Sequence, residues 1–407
     1  MKNKEQRLKI GFFLDTFYPM VDGVITALNN YATLLSKFAD VTVFVPMARD
    51  KSYVDDKPYE VVRCSRIKLS MLDYDLPVPT LDAKFMKELK KRKLDIIHIH
   101  SPFTLGKTGA AFAKKNNIPA IITLHSQFKQ DFYKATKSKT LTKILLANVM
   151  KTFNACDKIF TMNPACVELA KEYGAKVPIE IVPNGTDFKL PEFKGDFKKE
   201  IRDKYNVKDD EKLLLYVGRI NTLKNIEFII NSLEILKQKN FKFKMLFVGS
   251  GADQEKFEKL VKEKNLTDCI TFTGKIMDRE LLCKVYASGD LFVFPSFYDT
   301  DGIVKIEAAA CNVPTIFVQG SIASSCCEDK VNGYVGAHDI NKFADKIVEI
   351  FEDKETYEKV KVKCHEDLYI TWEKVIEIVY KKYLDTIDEK KKEIALKQKR
   401  SKKEKRK

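Results

Sequence analysis

The chain has 407 residues, 44% of them hydrophobic, and a net charge of +15, of which +9 sits between Lys390 and Lys407. That length is more than one core comfortably fills, so two domains are expected, and the composition excludes a disordered, collagen-like or disulfide-scaffold protein. No apolar run approaches the roughly 18–20 residues of a membrane-spanning helix, and nine cysteines without metal-ligand spacing suit a reducing compartment.

The basic N-terminus leads into "LKIGFFL", whose short apolar stretch stops at Asp15 and reads as a first strand rather than a signal peptide. Further β-branched runs follow at "DVTVFVP", "YEVVRC", "LDIIHIH", "IPAIITLH", "DKIFTMN" and "IEIVPNG". After "PNGTDFKLPEFKGDFKKE", rich in Pro, Gly and charge, the pattern resumes at "KLLLYVG", "FKMLFVG", "ITFTG", "LFVFPS" and "PTIFVQG". Amphipathic stretches such as "EFIINSLEILKQKN" and "QEKFEKLVKEKN" lie between them. Strand–helix alternation of this kind predicts parallel sheets covered on both faces. The expected fold class is α/β, with a doubly wound domain over 1–190, a second over 191–370, and a cleft at the carboxyl ends of their strands. A helix around 371–389, carrying the single Trp372, is expected to cross back onto the first domain. The Lys/Arg run over 390–407 lacks periodicity and is expected to be disordered.

Several stretches carry candidate chemistry. In "LYVGRINTLKNIEFI", Arg219 follows a strand end and Lys224 opens a helix, so two cations and a helix N-terminus suit a diphosphate. A solvated pair at an ordinary turn fits the spacing as well. In "FVGSGADQEKFEKL", Gly249 and Gly251 leave room for close approach to the backbone, or simply make a tight turn. In "FYDTDGIVKIEAAACNVP", Asp299 and Glu307 flank Gly302, where a helix should begin. Amides there would meet phosphate oxygens and the two carboxylates would accept from sugar hydroxyls. Alternatively Asp301 caps the helix and the other acids are merely exposed. In the first half, Gly23 lies in a strand-to-helix loop, His125 ends a strand, and His98 and His100 alternate with Ile, as packing residues or a metal pair do. No Ser, His and Asp stand in a nucleophile-elbow context, so hydrolase chemistry is unsupported.

Taken in order, "PMVDGV", "HIHSPF", "TLHSQF", "VPNGTDF", "GRINTLKN", "FVGSGADQEKFEKL", "FTGKIMDRELLCKVYASGDLFVFPS" and "DTDGIVKIEAAACNVP" resemble the retaining glycosyltransferases of family four. The resemblance runs from about Ile10 to about Leu384. It implies a GT-B fold of two facing Rossmann-like domains with an interdomain cleft and a C-terminal crossover helix. It also implies that Arg219 and Lys224 hold the donor diphosphate, Glu307 the ribose and Asp299 the transferred sugar. Gly302, Ile303 and Val304 would present amides to the phosphates, Gly23 would form the glycine loop, His125 would lie near the reacting sugar, and Ile276 near the base. The family usually has Glu where this chain has Asp299, one methylene shorter, which bears on the sugar taken. "DTDGIVKIEA" is similar to the form found in diacylglycerol glucosyltransferases, implying UDP-glucose as donor. No metal or other cofactor is expected, because Arg219, Lys224 and the helix N-terminus already offset the diphosphate charge.

Such enzymes meet a lipid acceptor at the inner face of the membrane. "KATKSKTLTKILLANVMKTF" and "KFMKELKKRK" mix lysines with apolar residues, as helices at an anionic bilayer surface do and as solvated Lys-rich faces also do. The expected location is therefore cytoplasmic and peripheral to the membrane, with a soluble or cell-wall polysaccharide acceptor as the alternative. A non-catalytic nucleic-acid-binding role is disfavoured, because the basic tail has no interleaved aromatic residue.

Overall fold

The computed structural model describes residues 7–68, 75–189 and 196–404. The boundary expected at 190/191 and the last three tail residues lie outside that set. Contacts divide the chain into two units, Met1–Pro183 with Trp372–Lys407, and Asn184–Thr371.

In the first unit the strands are β1 (Lys9–Phe13), β2 (Asp40–Pro46) and β3 (Glu60–Cys64), then a small antiparallel pair, β4 (Arg66–Ile67) and β5 (Leu76–Pro77). They are followed by β6 (Ile96–Ile99), β7 (Ala120–Thr123), β8 (Lys158–Thr161) and β9 (Ile179–Ile181). Seven of these strands form one parallel sheet in the order β3-β2-β1-β6-β7-β8-β9. Helices α1 (Gly23–Leu35), α2 (Ala83–Lys91), α3 (Thr104–Asn116), α4 (Phe128–Thr136), α5 (Lys139–Phe153) and α6 (Pro164–Glu172) make the connections. The near-continuous apolar strands are explained by burial on both sheet faces: β6, β7 and β8 are buried at every residue. Asp22, Asp82, Ser138 and Asn163 each cap a helix start with a side-chain acceptor.

The second unit repeats the scheme. Its strands are β10 (Lys212–Val217), β11 (Phe243–Val248), β12 (Ile270–Gly274), β13 (Leu291–Phe294), β14 (Thr315–Val318) and β15 (Tyr334–Gly336), all parallel, in the order β12-β11-β10-β13-β14-β15. The short β15 has only three residues and escaped the sequence pattern. Around the sheet lie α7 (Phe197–Lys204), α8 (Ile226–Gln238), α9 (Gln254–Glu263), α10 (Arg279–Ser288), α11 (Ile303–Ala310), α12 (Ile340–Glu352) and α13 (Lys354–Leu368).

The crossover helix, α14 (Trp372–Glu404), belongs to the first unit and packs on α1. Trp372 meets Tyr31 edge-on at 6.1 Å, and the Tyr383 hydroxyl bonds His98 Nδ1 at 2.6 Å. Lys390 pairs with Asp157 and with Glu393. The helix thus continues well past 389, so the stretch expected to be disordered is helical as far as Glu404. Charge pairs at helical spacing, which include Lys397–Glu393, extend it beyond the apolar contacts.

Candidate active site

In an open parallel sheet the loops splay apart where strand order reverses, and that crevice is where ligands fit. In the second unit the reversal falls between β10 and β13. The loop after β10 carries Arg219 and Lys224, and the loop after β13 carries Asp299. Lys224 Nζ and Asp299 Oδ1 are 2.5 Å apart, and Asn225 Nδ2 donates to the Pro295 carbonyl at 3.2 Å. The Tyr298 ring lies 5.5 Å from the same ammonium. Arg219 is exposed, and its carbonyl accepts from the Tyr216 hydroxyl at 3.0 Å. Asp299 Oδ2 is buried with no hydrogen-bond partner among the described residues.

Gly302 begins the next element with φ +79, a conformation side-chain-bearing residues rarely adopt, and a Cβ there would meet the Phe294 ring at 2.7 Å. The turn is followed at once by α11, which has no side-chain cap, so Ile303 and Val304 present the positive end of the helix. Asp301, the alternative cap, is engaged elsewhere. It pairs with the buried Lys305 at 2.6 Å and accepts from Asn184 Nδ2 at 2.8 Å. Burial opposes the Lys305 charge, but the Asp301 carboxylate outweighs it and the ammonium's pKa is raised.

Glu307 is buried, not exposed. Its Oε1 accepts from Arg279 at 3.0 Å and its Oε2 from the Tyr286 hydroxyl at 3.0 Å. Burial raises the Glu307 pKa, while Arg279 and Tyr286 pull it down. Arg279 and Tyr286 were not singled out from the sequence. The signal was there in "DRELLCKVYASGD": seven residues apart, they share one face of α10, aimed at a buried acid that needs donors.

Gly249 lies against the end of β10. Its missing Cβ makes room for the Gly218 carbonyl oxygen, which would lie 1.9 Å from that atom, and its amide donates to Gly274 O at 2.9 Å. The chain's own backbone fills the space on that side, as the tight-turn reading expects. Ile276, just beyond β12, packs partly buried against the core of the second unit.

The first unit reverses between β1 and β6. Gly23 is the first residue of α1, with open space where a side chain would stand. Asp15, after β1, is buried and accepts from Ser101 Oγ, from Thr104 Oγ1 at 2.9 Å and from the Leu105 amide at 2.8 Å, tying this loop to the one after β6. His125 Nε2 lies 3.0 Å from His100 Nδ1, with the rings stacked, and His98 bonds Tyr383 and Thr123. Burial pushes the His125 pKa down to about 4 and those of His98 and His100 well below the ordinary range, so all three are neutral at pH 7. No group of three or more metal-ligating side chains occurs among the described residues. The histidine pair is thus a packed, hydrogen-bonded cluster.

The two lysine-rich stretches differ. On α2 the apolar Phe85 and Leu89 are buried in the core, leaving lysines outside. On α4 and α5, Tyr133, Leu141 and Ile144 are exposed beside Lys134, Lys139 and Lys143. No helix among the described residues is long and apolar enough to cross a membrane.

Two family descriptions match. "Glycosyltransferase Family 4" covers residues 21–190 and "Glycosyl transferases group 1" covers 197–364. Among curated relatives is the alpha-monoglucosyldiacylglycerol synthase of Streptococcus pneumoniae, 27% identical over 82% of this chain and 76% of that protein. The protein of the same name from Acholeplasma laidlawii is 26% identical over 80% and 84%. A solved structure of Anabaena Alr3699/HepE in complex with UDP superposes with a TM-score of 0.76 at 16% identity, covering 93% of this chain and all of that one.

Proposed function

The chain belongs to the glycosyltransferases of the group 1 and family 4 type, built as a GT-B pair of Rossmann-like domains; on that premise we propose that it is a retaining hexosyltransferase moving glucose from UDP-glucose to diacylglycerol. The acceptor is suggested by the two relatives named as monoglucosyldiacylglycerol synthases, and the donor base by the UDP bound to the HepE structure. The observation that carries the reading is the Lys224–Asp299 clasp beside the uncapped start of α11.

Arg219 and Lys224 offset the charge that grows on the diphosphate as the sugar–oxygen bond breaks, and the amides at Ile303 and Val304 add the helix dipole. Glu307 accepts from the ribose hydroxyls. Asp299 Oδ2 takes a sugar hydroxyl. His125, neutral at pH 7, is suited to hydrogen bonding rather than to general-acid work. The work is done by positioning and electrostatics. Acceptor recognition falls to the first unit, where the apolar and cationic residues of α4 and α5 suit an anionic bilayer at the inner membrane face.

Thermal-shift measurements with UDP-, GDP- and ADP-glucose test the donor. At about 100 times its dissociation constant, a bound ligand adds about 2.7 kcal/mol of stability. A rise with UDP-glucose alone is expected; no rise with any of the three sinks the donor reading. Transfer to diacylglycerol in anionic vesicles then tests the acceptor, and transfer only to soluble glycans would overturn the lipid.

A further inference from the structure

Glu307, the proposed ribose carboxylate, does not stand alone. Resting on that assignment, we propose that Arg279 is a positioning residue for nucleoside recognition, fixing the Glu307 carboxylate in the orientation that takes the ribose diol.

The geometry is specific. Arg279 Nη2 donates to Glu307 Oε1 at 3.0 Å, and the Tyr286 hydroxyl donates to Oε2 at 3.0 Å. A carboxylate accepts about four hydrogen bonds. One donor on each oxygen therefore locks the plane of the group and leaves a lone pair on each for two adjacent hydroxyls. The arginine is fixed in turn. Its Nε donates to Asp187 Oδ2 at 3.2 Å, Nη2 pairs with Asp187 Oδ1, and the guanidinium lies 4.1 Å from the centre of the Phe188 ring. Asp187 and Phe188 come from "VPNGTDF", the segment that also supplies Asn184 to Asp301. One short stretch thus steadies both Asp301 and Glu307, the acids on either side of Gly302.

The chemistry explains why arginine stands there. A buried carboxylate tends to take up a proton, which would turn one acceptor oxygen into a donor and spoil it for a diol. A fixed cation opposes this, and only a planar fork reaches Asp187 and Glu307 at once while lying against a ring. Lysine keeps the charge but not the fork.

The test compares UDP with 2′,3′-dideoxy-UDP by calorimetry, or the corresponding guanosine or adenosine pair if the thermal-shift screen selects that base. Wild type is expected to prefer the diol-bearing ligand by about ten-fold or more, since a buried acid left without its hydroxyl partners is costly. In Arg279→Ala that ratio should fall to about one, while affinity for the dideoxy ligand changes less than about three-fold. Arg279→Lys should lie between, and Asp187→Asn should narrow the ratio with Arg279 still present, which keeps the proposal testable if Arg279→Ala does not fold. An unchanged ratio, or equal loss for both ligands, would overturn the positioning role. A wild type indifferent to the diol would instead strike the assignment of Glu307, a separate failure.

Discussion

Lys224 and Asp299 hold each other at 2.5 Å with both side chains largely buried. In the proposed reaction, a diphosphate beside them is a stronger counter-charge for the ammonium than one carboxylate. Lys224→Ala is expected to lower the transfer rate by about 10²–10³-fold, the usual cost of losing one preorganised charge at a developing anion. Steady-state rates on diacylglycerol vesicles measure this, and activity within a few-fold of wild type would remove Lys224 from the mechanism. Asp299 itself could be picked out as a candidate by its position before Gly302. Its bond to Lys224 could not, because 75 residues separate the two in the chain.

Among the elements, β6 presents the clearest energetic consequence. His98 and His100 point to one side of the strand and are 0% and 3% exposed. Burial depresses both pKa values, so the native chain keeps both rings neutral while the unfolded chain takes up protons near pH 6.5. The stability this contributes is complete above that pH and is lost as pH falls. Each histidine should cost about 1.4 kcal/mol per pH unit below about pH 6. Urea unfolding followed by Trp372, buried in the same unit, reads the slope. His100→Gln should flatten it by one histidine's share, and an identical slope would refute the account. The alternation with Ile announced the shared face, but only the packing of Tyr383, Thr123 and His125 around it distinguished a buried cluster from a metal pair.

At the scale of the whole molecule, the positive charge is concentrated at the C-terminal end of the chain. Residues 397–407 carry eight Lys and Arg against Glu404, while Lys390 is anchored to Asp157 and stays with the body. Basic residues near an anionic bilayer contribute about 1 kcal/mol each. Removing 397–407 is expected to weaken vesicle binding about ten-fold or more and leave turnover of a short-chain diacylglycerol within about two-fold. Equal sedimentation with anionic vesicles would leave this basic segment without a membrane role.

The two doubly wound sheets, the crossover helix and the order of the motifs could be read from the chain, because strand burial on both faces and helical spacing are written in local sequence. The site was legible only as separate pieces: Arg219 and Lys224 after one strand, Asp299 to Glu307 after another. Which strands lie side by side, and so which loops meet, is decided by sheet order. That same tertiary arrangement filled the space at Gly249 with backbone, buried the apolar face of α2, and brought Arg279 and Tyr286 to Glu307. Periodicity is a local property and sets each element. A buried acid and its donors are joined by contacts between elements far apart in the chain, which only the folded structure determines.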